Sequence, residues 1–152
     1  AHRFFVEKGA KVHYIERHIG IGAGCSLRAI HPKTQIELGR NSEMQVDTAQ
    51  MEGVDSANRD TTARLSQGAK LIIREKIMTY DNQTALSDFQ IELNGAGARA
   101  DLVSRCIAKG SSRQSFRSQM DGNAACSGHS ECGMARTHGG DPGRSLSGWR
   151  SQ

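Results

Sequence analysis

Glycine-led corners at a near-constant interval constrain this 152-residue chain more than any other feature. Lys8-Gly9-Ala10-Lys11-Val12 returns as Gln67-Gly68-Ala69-Lys70-Leu71 and, with drift, as Ala96-Gly97-Ala98-Arg99-Ala100. Asn41-Ser42-Glu43-Met44 and Gly122-Asn123-Ala124 align with them. Taking Ala10, Ser42, Ala69, Ala98 and Ala124 as equivalent gives steps of 32, 27, 29 and 26 residues. Periods in that range mark a solenoid, because one such unit cannot bury its own apolar face and must stack on its neighbours.

Each unit reads as strands. Phe89, Ile91 and Leu93 alternate with Asp88, Gln90 and Glu92, and Met44 and Val46 alternate with Glu43, Gln45 and Asp47. That period of two is the signature of a strand with one buried face. Leu71-Ile72-Ile73 and Val12 to Ile15 are short, β-branched and glycine-led. A second strand precedes each corner, at Gln35–Leu38, Thr62–Leu65 and Ser115–Ser118. Two or more strands per turn of about 27 residues describe a parallel β-helix, with successive coils ~4.8 Å apart. Helices are excluded, since glycine interrupts every run of helix formers. A β-sandwich also accommodates short regular strands, but the constant phase of the corner favours the solenoid. The reading is therefore all-β, with a β-helix core over residues 1–132 and an irregular tail, disordered or loosely docked, over 133–152.

Composition narrows the function. The chain is 36% hydrophobic and 24% charged, with 17 glycines and two prolines, and its mean hydropathy of -0.56 is that of an ordinary soluble domain. No apolar run is long enough to cross a membrane and no signal peptide opens the sequence. Starting on Ala1 rather than Met, it reads as an interior stretch of a longer parent. Of the net charge of +4, residues 133–152 supply +2 through Arg136, Arg144 and Arg150 against Asp141. The body is near balance, and 5% aromatic content gives no stacking platform, so nucleic acid is not an expected partner. Four cysteines, Cys25, Cys106, Cys126 and Cys132, are too few for a disulfide scaffold; reduced thiols in a cytoplasmic protein are expected.

The densest chemistry lies in Asp121–Cys132. Cys126, His129 and Cys132, with Glu131 beside them, offer two thiolates, an imidazole and a carboxylate, donors that suit zinc or iron. Strand alternation puts Cys126, Gly128, Ser130 and Cys132 on one face and His129 and Glu131 on the other. The three ligands meet only if the strand breaks, at Gly128. A metal reading and a plain strand reading both fit, with Glu131 read as a solvated strand residue. Cys106 reads as core, Cys25 as a loop thiol without a role, and His13, Tyr14 and His18 as structural; His31-Pro32 reads as a turn.

Four segments together resemble a known family: Val6–Glu16, Arg59–Ala63, Ala108–Gln114 and Asn123–Cys132. In order and spacing they are similar to the SufB/SufD scaffold proteins of the Suf iron–sulfur assembly system, nearer the SufD-like branch, from about residue 3 to Cys132. The resemblance implies a right-handed parallel β-helix that pairs with a homologous SufB/SufD-like subunit and binds a SufC-type ATPase. It implies a scaffold, not an enzyme, carrying a transient iron–sulfur cluster in the intact complex. In SufB members a cysteine at a Cys-Asp pair near the end of the β-helix is a cluster-building ligand. By position Cys132 is its match, with Gly133 where the family has Asp.

Other classes have less behind them. Gly20–Gly24 lacks the dinucleotide-binding spacing, and no Gly-x-x-x-x-Gly-Lys-Ser/Thr loop occurs, so ATP hydrolysis would belong to a partner. A β-helix polysaccharide-binding protein or lyase would need carboxylates beside Arg or Lys, for which Asp47, Glu52, Asp55 and Arg59 are the candidates. A purely structural solenoid, pairing with another copy through its open edges, is a third reading. The end of the resemblance at Cys132 suggests a frameshifted or truncated terminus. One codon choice for Gly140–Arg144, read one base later, spells Glu-Ile-Pro-Glu, which is like the family's next segment. Sequencing the parent gene tests this: the account expects the family's continuation in a shifted frame, and an in-frame relative of residues 133–152 would contradict it.

Overall fold

The structure, a computed structural model, describes residues 2–19, 29–51, 56–122, 125–138 and 141–144. Cys25, Glu52, Asp55, Ala124, residues 145–152 and the side chain of His18 lie outside the described part. Twelve strands and no helix are found among the described residues. They are β1 (His2–Val6), β2 (Lys11–Ile19), β3 (Ala29–Ile30), β4 (Lys33–Leu38), β5 (Glu43–Met51) and β6 (Ser56–Leu65). The second half holds β7 (Lys70–Thr79), β8 (Thr84–Leu93), β9 (Arg99–Lys109), β10 (Arg113–Gly122), β11 (Ser127–His138) and β12 (Asp141–Arg144).

One sheet runs β1-β4-β6-β8-β10, with β3 on β6; the other runs β2-β5-β7-β9-β11, with β12 on the outside of β11. Every pairing is parallel except β11 with β12. The chain therefore alternates between two sheets, and each passage through both makes one rung of a flattened β-solenoid, as the repeat implies. Pairing runs on past Cys132: Gly133 to Thr137 continue the ladder on β9.

The corners explain the repeat. Gly9, Gly68 and Gly97 have φ of +72°, +67° and +73°, and Asn41 stands in the same place at +54°. Glycine, and asparagine after it, adopts this left-handed backbone most readily. The corners also bond to each other: the amides of Gly9, Asn41 and Gly68 donate to the carbonyls of Arg40, Gln67 and Ala96, each at 3.0 Å. The next residue turns into the tight interior, where Ser42, Ala69 and Ala98 are wholly buried. At the fifth corner Ser127 pairs with Arg99, so Cys126, not Ala124, takes the place of Ala98. The last step is 28 residues rather than 26, a correction to the spacing read from sequence.

Alternation then fills the interior in columns. Val6, Leu38, Leu65 and Leu93 stack along one sheet, and Val46, Ile73 and Leu102 along the other. Burying each such side chain contributes ~1.5–3 kcal/mol.

One interior layer is polar. Glu16, Thr48, Glu75, Ser104 and Cys132 occupy successive rungs of a single column, facing Arg59 and Ser87 of the opposite sheet. Glu75 is 2% exposed, and the hydroxyls of Ser87 and Ser104 donate to its carboxyl at 2.6 and 2.9 Å. Arg59, 7% exposed, donates from Nε to Gln50 Oε1 at 3.2 Å, while its Nη2 is buried without a partner. A cavity of about 30 Å³ between Tyr14, Thr48, Arg59, Thr61 and Glu75 has room for a water or two.

Burial raises the Glu75 carboxyl above its ordinary value of 4.5, and the two serine hydroxyls and the Arg59 charge only partly oppose this. A raised folded value means the folded state binds more protons between 4.5 and that value, so stability falls as pH rises through the window. Glu75→Gln, neutral at every pH and able to bond both serines, is expected to flatten this dependence in denaturant midpoints; parallel profiles would contradict it. Leu65→Ala, in the wholly buried column, is expected to cost ~2–5 kcal/mol in the same assay, and a loss near zero would mean that the rungs do not share this core.

Candidate functional site

The sulfur-rich end of the solenoid is built by the last rung. β11 lies in register on β9 from Ser127 onward, without a break at Gly128. Gly128 is held there by close approach: a Cβ on it would run into Met120 Sδ. Because the strand is continuous, Ser130, Cys132 and Met134 face the interior and His129 and Glu131 face out. His129 Nε2 lies 3.8 Å from Glu131 Oε2 on that outer face. Cys126 sits at the corner, half-buried against the main core and beneath Gly122, where a Cβ would collide with its Sγ. The structure thus does not bring Cys126, His129 and Cys132 together; among the described residues no three His, Cys, Asp or Glu side chains converge as a metal site would need.

Cys132 meets a different partner. Ser104 pairs with Cys132 and Cys106 with Met134 across the β9–β11 ladder, so Cys106 lies diagonal to Cys132 on the same inner face. The two cysteines are 5% and 8% exposed and cluster with Ile77 and Ala85, with Phe116 and Met134 packed against them. Cys106 is buried, as expected of a core residue, and also bonded. Its interaction with the Cys132 thiol, followed by burial, pushes its own pKa far above the usual thiol range. The same bond holds the Cys132 thiol below its ordinary value, against desolvation and the charge of Glu75. Ser104 Oγ, 3.3 Å from Cys106 Sγ, links this pair to Glu75. A hydrogen bond to a thiolate stabilises it, which favours ionisation at Cys132 over Cys106.

The sequence reading missed Cys106, Ser104 and Glu75 as neighbours of Cys132. The signal was present in the repeat, since a step of 26 to 28 residues back from Cys132 falls on Cys106 or Ser104.

The remaining candidates lie apart. Asp47 is on the outer face of the β5 sheet, where His13 Nε2 is 2.5 Å and Gln45 Nε2 3.0 Å away. Burial alone would raise its carboxyl, but the bonds from His13 and Gln45 and the charges of His13 and Arg74 outweigh that and lower it. Arg59 points inward from the other sheet, so the Asp47 and Arg59 of the lyase reading do not share a face. Tyr14 packs on Phe4 with ring centroids 4.7 Å apart, and His31 bonds Asp60 at 2.7 Å; both are structural contacts.

Residues 2–132 match the family model described as SUF system FeS cluster assembly, SufBD core domain. No curated protein and no solved structure matches the chain. The match covers most of the sequence and ends on Cys132, the residue at the end of the polar interior column. The chain belongs to the SufB/SufD family of the iron–sulfur cluster assembly system, whose core domain is this β-solenoid.

Proposed function

We propose that this chain is the β-solenoid portion of a non-enzymatic scaffold on which iron–sulfur clusters are built, and that Cys132 takes the nascent cluster or its sulfur. The observation that carries this reading is the placement of Cys132. It is the last residue of the family match, faces the interior, and accepts a hydrogen bond that favours its thiolate. A thiolate is the donor an iron–sulfur intermediate needs and the acceptor for a persulfide sulfur. Its cargo is iron and sulfide, held transiently and passed on. The outer pair His129 and Glu131 lies on the face away from this thiol.

The partners in this reading are a SufC-type ATPase, which supplies the ATP hydrolysis that this sequence has no phosphate-binding loop to perform, and a homologous SufB/SufD-like subunit. Strand edges support pairing between solenoids: among the described residues β10 pairs only with β8, β1 only with β4 and β2 only with β5. Such edges favour strand addition by another chain. Four cysteines without the density of a disulfide scaffold support a cytoplasmic setting.

Anaerobic reconstitution with iron and sulfide tests the assignment, with the wild type beside Cys132→Ser and Cys126→Ser. The wild type is expected to retain iron and acid-labile sulfide and to gain visible absorption. Cys132→Ser should fall to background, and Cys126→Ser should behave as wild type. Retention by Cys132→Ser, or a colourless wild type, would overturn the role given to Cys132.

A further inference from the structure

The interior end of the solenoid holds a third sulfur that the cluster-assembly reading does not use. Met134 follows Cys132 by two residues on the same face of β11 and lies directly across the ladder from Cys106. Its half-buried side chain packs against the cluster that contains both cysteines. Two thiols and a thioether thus gather on the inner face of two adjacent strands.

We propose that Cys106, Cys132 and Met134 form a binding site for a soft monovalent cation of the copper(I) class. Thiolate and thioether donors select such ions, while divalent ions that want nitrogen and oxygen find no set of ligands here. No three His, Cys, Asp or Glu side chains converge among the described residues, but copper(I) is satisfied by two or three sulfurs. The surroundings suit it too: Ile77, Ala85 and Phe116 exclude water, which protects the reduced ion from oxidation and exchange. The two cysteines also stay available. Both are free thiols in the structure. Binding replaces thiol protons with the metal ion and changes no oxidation state: the S–H bonds break, sulfur–copper bonds form, and the protons go to solvent. Affinity therefore rises with pH.

The site does not depend on the scaffold reading, but it shares Cys132 with it. Copper(I) and the iron–sulfur cargo would compete for this thiol. Met134 distinguishes the two, since the proposed role of Cys132 does not use it.

The test is anaerobic titration of the purified chain with copper(I) against a chromophoric copper(I) chelator, followed by X-ray absorption at the copper edge. The wild type is expected to bind one copper per chain with only sulfur neighbours. Cys106→Ser and Met134→Leu should each weaken binding by at least about tenfold, the scale on which even outer-sphere partners of a metal site act. Cys126→Ser should bind as wild type. Met134→Leu keeps the packing volume, so it decides the matter if a cysteine variant does not fold, as judged by circular dichroism. Wild-type affinity in Met134→Leu or in a folded Cys106→Ser, equal loss in Cys126→Ser, or nitrogen and oxygen neighbours at copper would each overturn the proposal. A chain that binds copper but neither iron nor sulfide would leave this site standing and remove the cluster-building role; the reverse result would do the opposite.

Discussion

Parallel strand pairing between successive rungs is the constraint on which everything else in this molecule rests. A single rung has no core of its own and no partner for its backbone. Both come from the rungs above and below, through ladders that keep one register from β1 to β10 and from β2 to β11. The side-chain period of two makes this register unforgiving, because a slip of one residue turns every interior side chain outward. The bonded corners fix it: the amides of Gly9, Asn41, Gly68 and Gly97 each reach a carbonyl of the next rung's corner. Local backbone conformation and long-range pairing therefore agree at the same residues, as expected of a sequence that specifies one fold.

Much of this was legible in the sequence. Corner glycines, the small residue after each, and the alternation at Phe89–Leu93 and Met44–Val46 carry the solenoid directly. The fifth corner was not legible, because Gly122-Asn123-Ala124-Ala125-Cys126 offers small residues at several offsets and only the Ser127–Arg99 pairing decides among them. Nor was the polar layer. Arg59, Glu75 and Ser104 look like solvent-facing residues when charge is the criterion. The alternation inside their own strands nonetheless puts them on the buried face, and position in the column outranks polarity. Part of the cost is met by bonding: Glu75 takes two serine hydroxyls and Arg59 takes Gln50, while Arg59 Nη2 stays without a partner.

For the site, sequence reasoning grouped Cys132 with residues that the structure does not bring to it. Cys132 was singled out with Cys126 and His129 because the three are close along the chain. In a solenoid, however, neighbours in space are one repeat apart, and the ladder partner Ser104 and diagonal neighbour Cys106 of Cys132 come from β9. The same geometry ties stability to chemistry. The column that runs from Glu16 through Glu75 and Ser104 ends on Cys132, so the buried acid and the thiol pair share one hydrogen-bonded layer. Membership in the SufB/SufD family gives that layer a context, and the thiol pair gives it a chemistry that family membership alone does not specify.

Time-resolved alkylation of the native chain, read by mass spectrometry at each cysteine, tests the register of β11 most directly. Of the three described cysteines, the structure requires Cys126 to react first, and Cys106 and Cys132 to stay protected and to become reactive together as the solenoid opens. Labelling of Cys132 as fast as Cys126, with Cys106 alone protected, would mean that β11 sits one residue out of register and that Cys132 faces solvent.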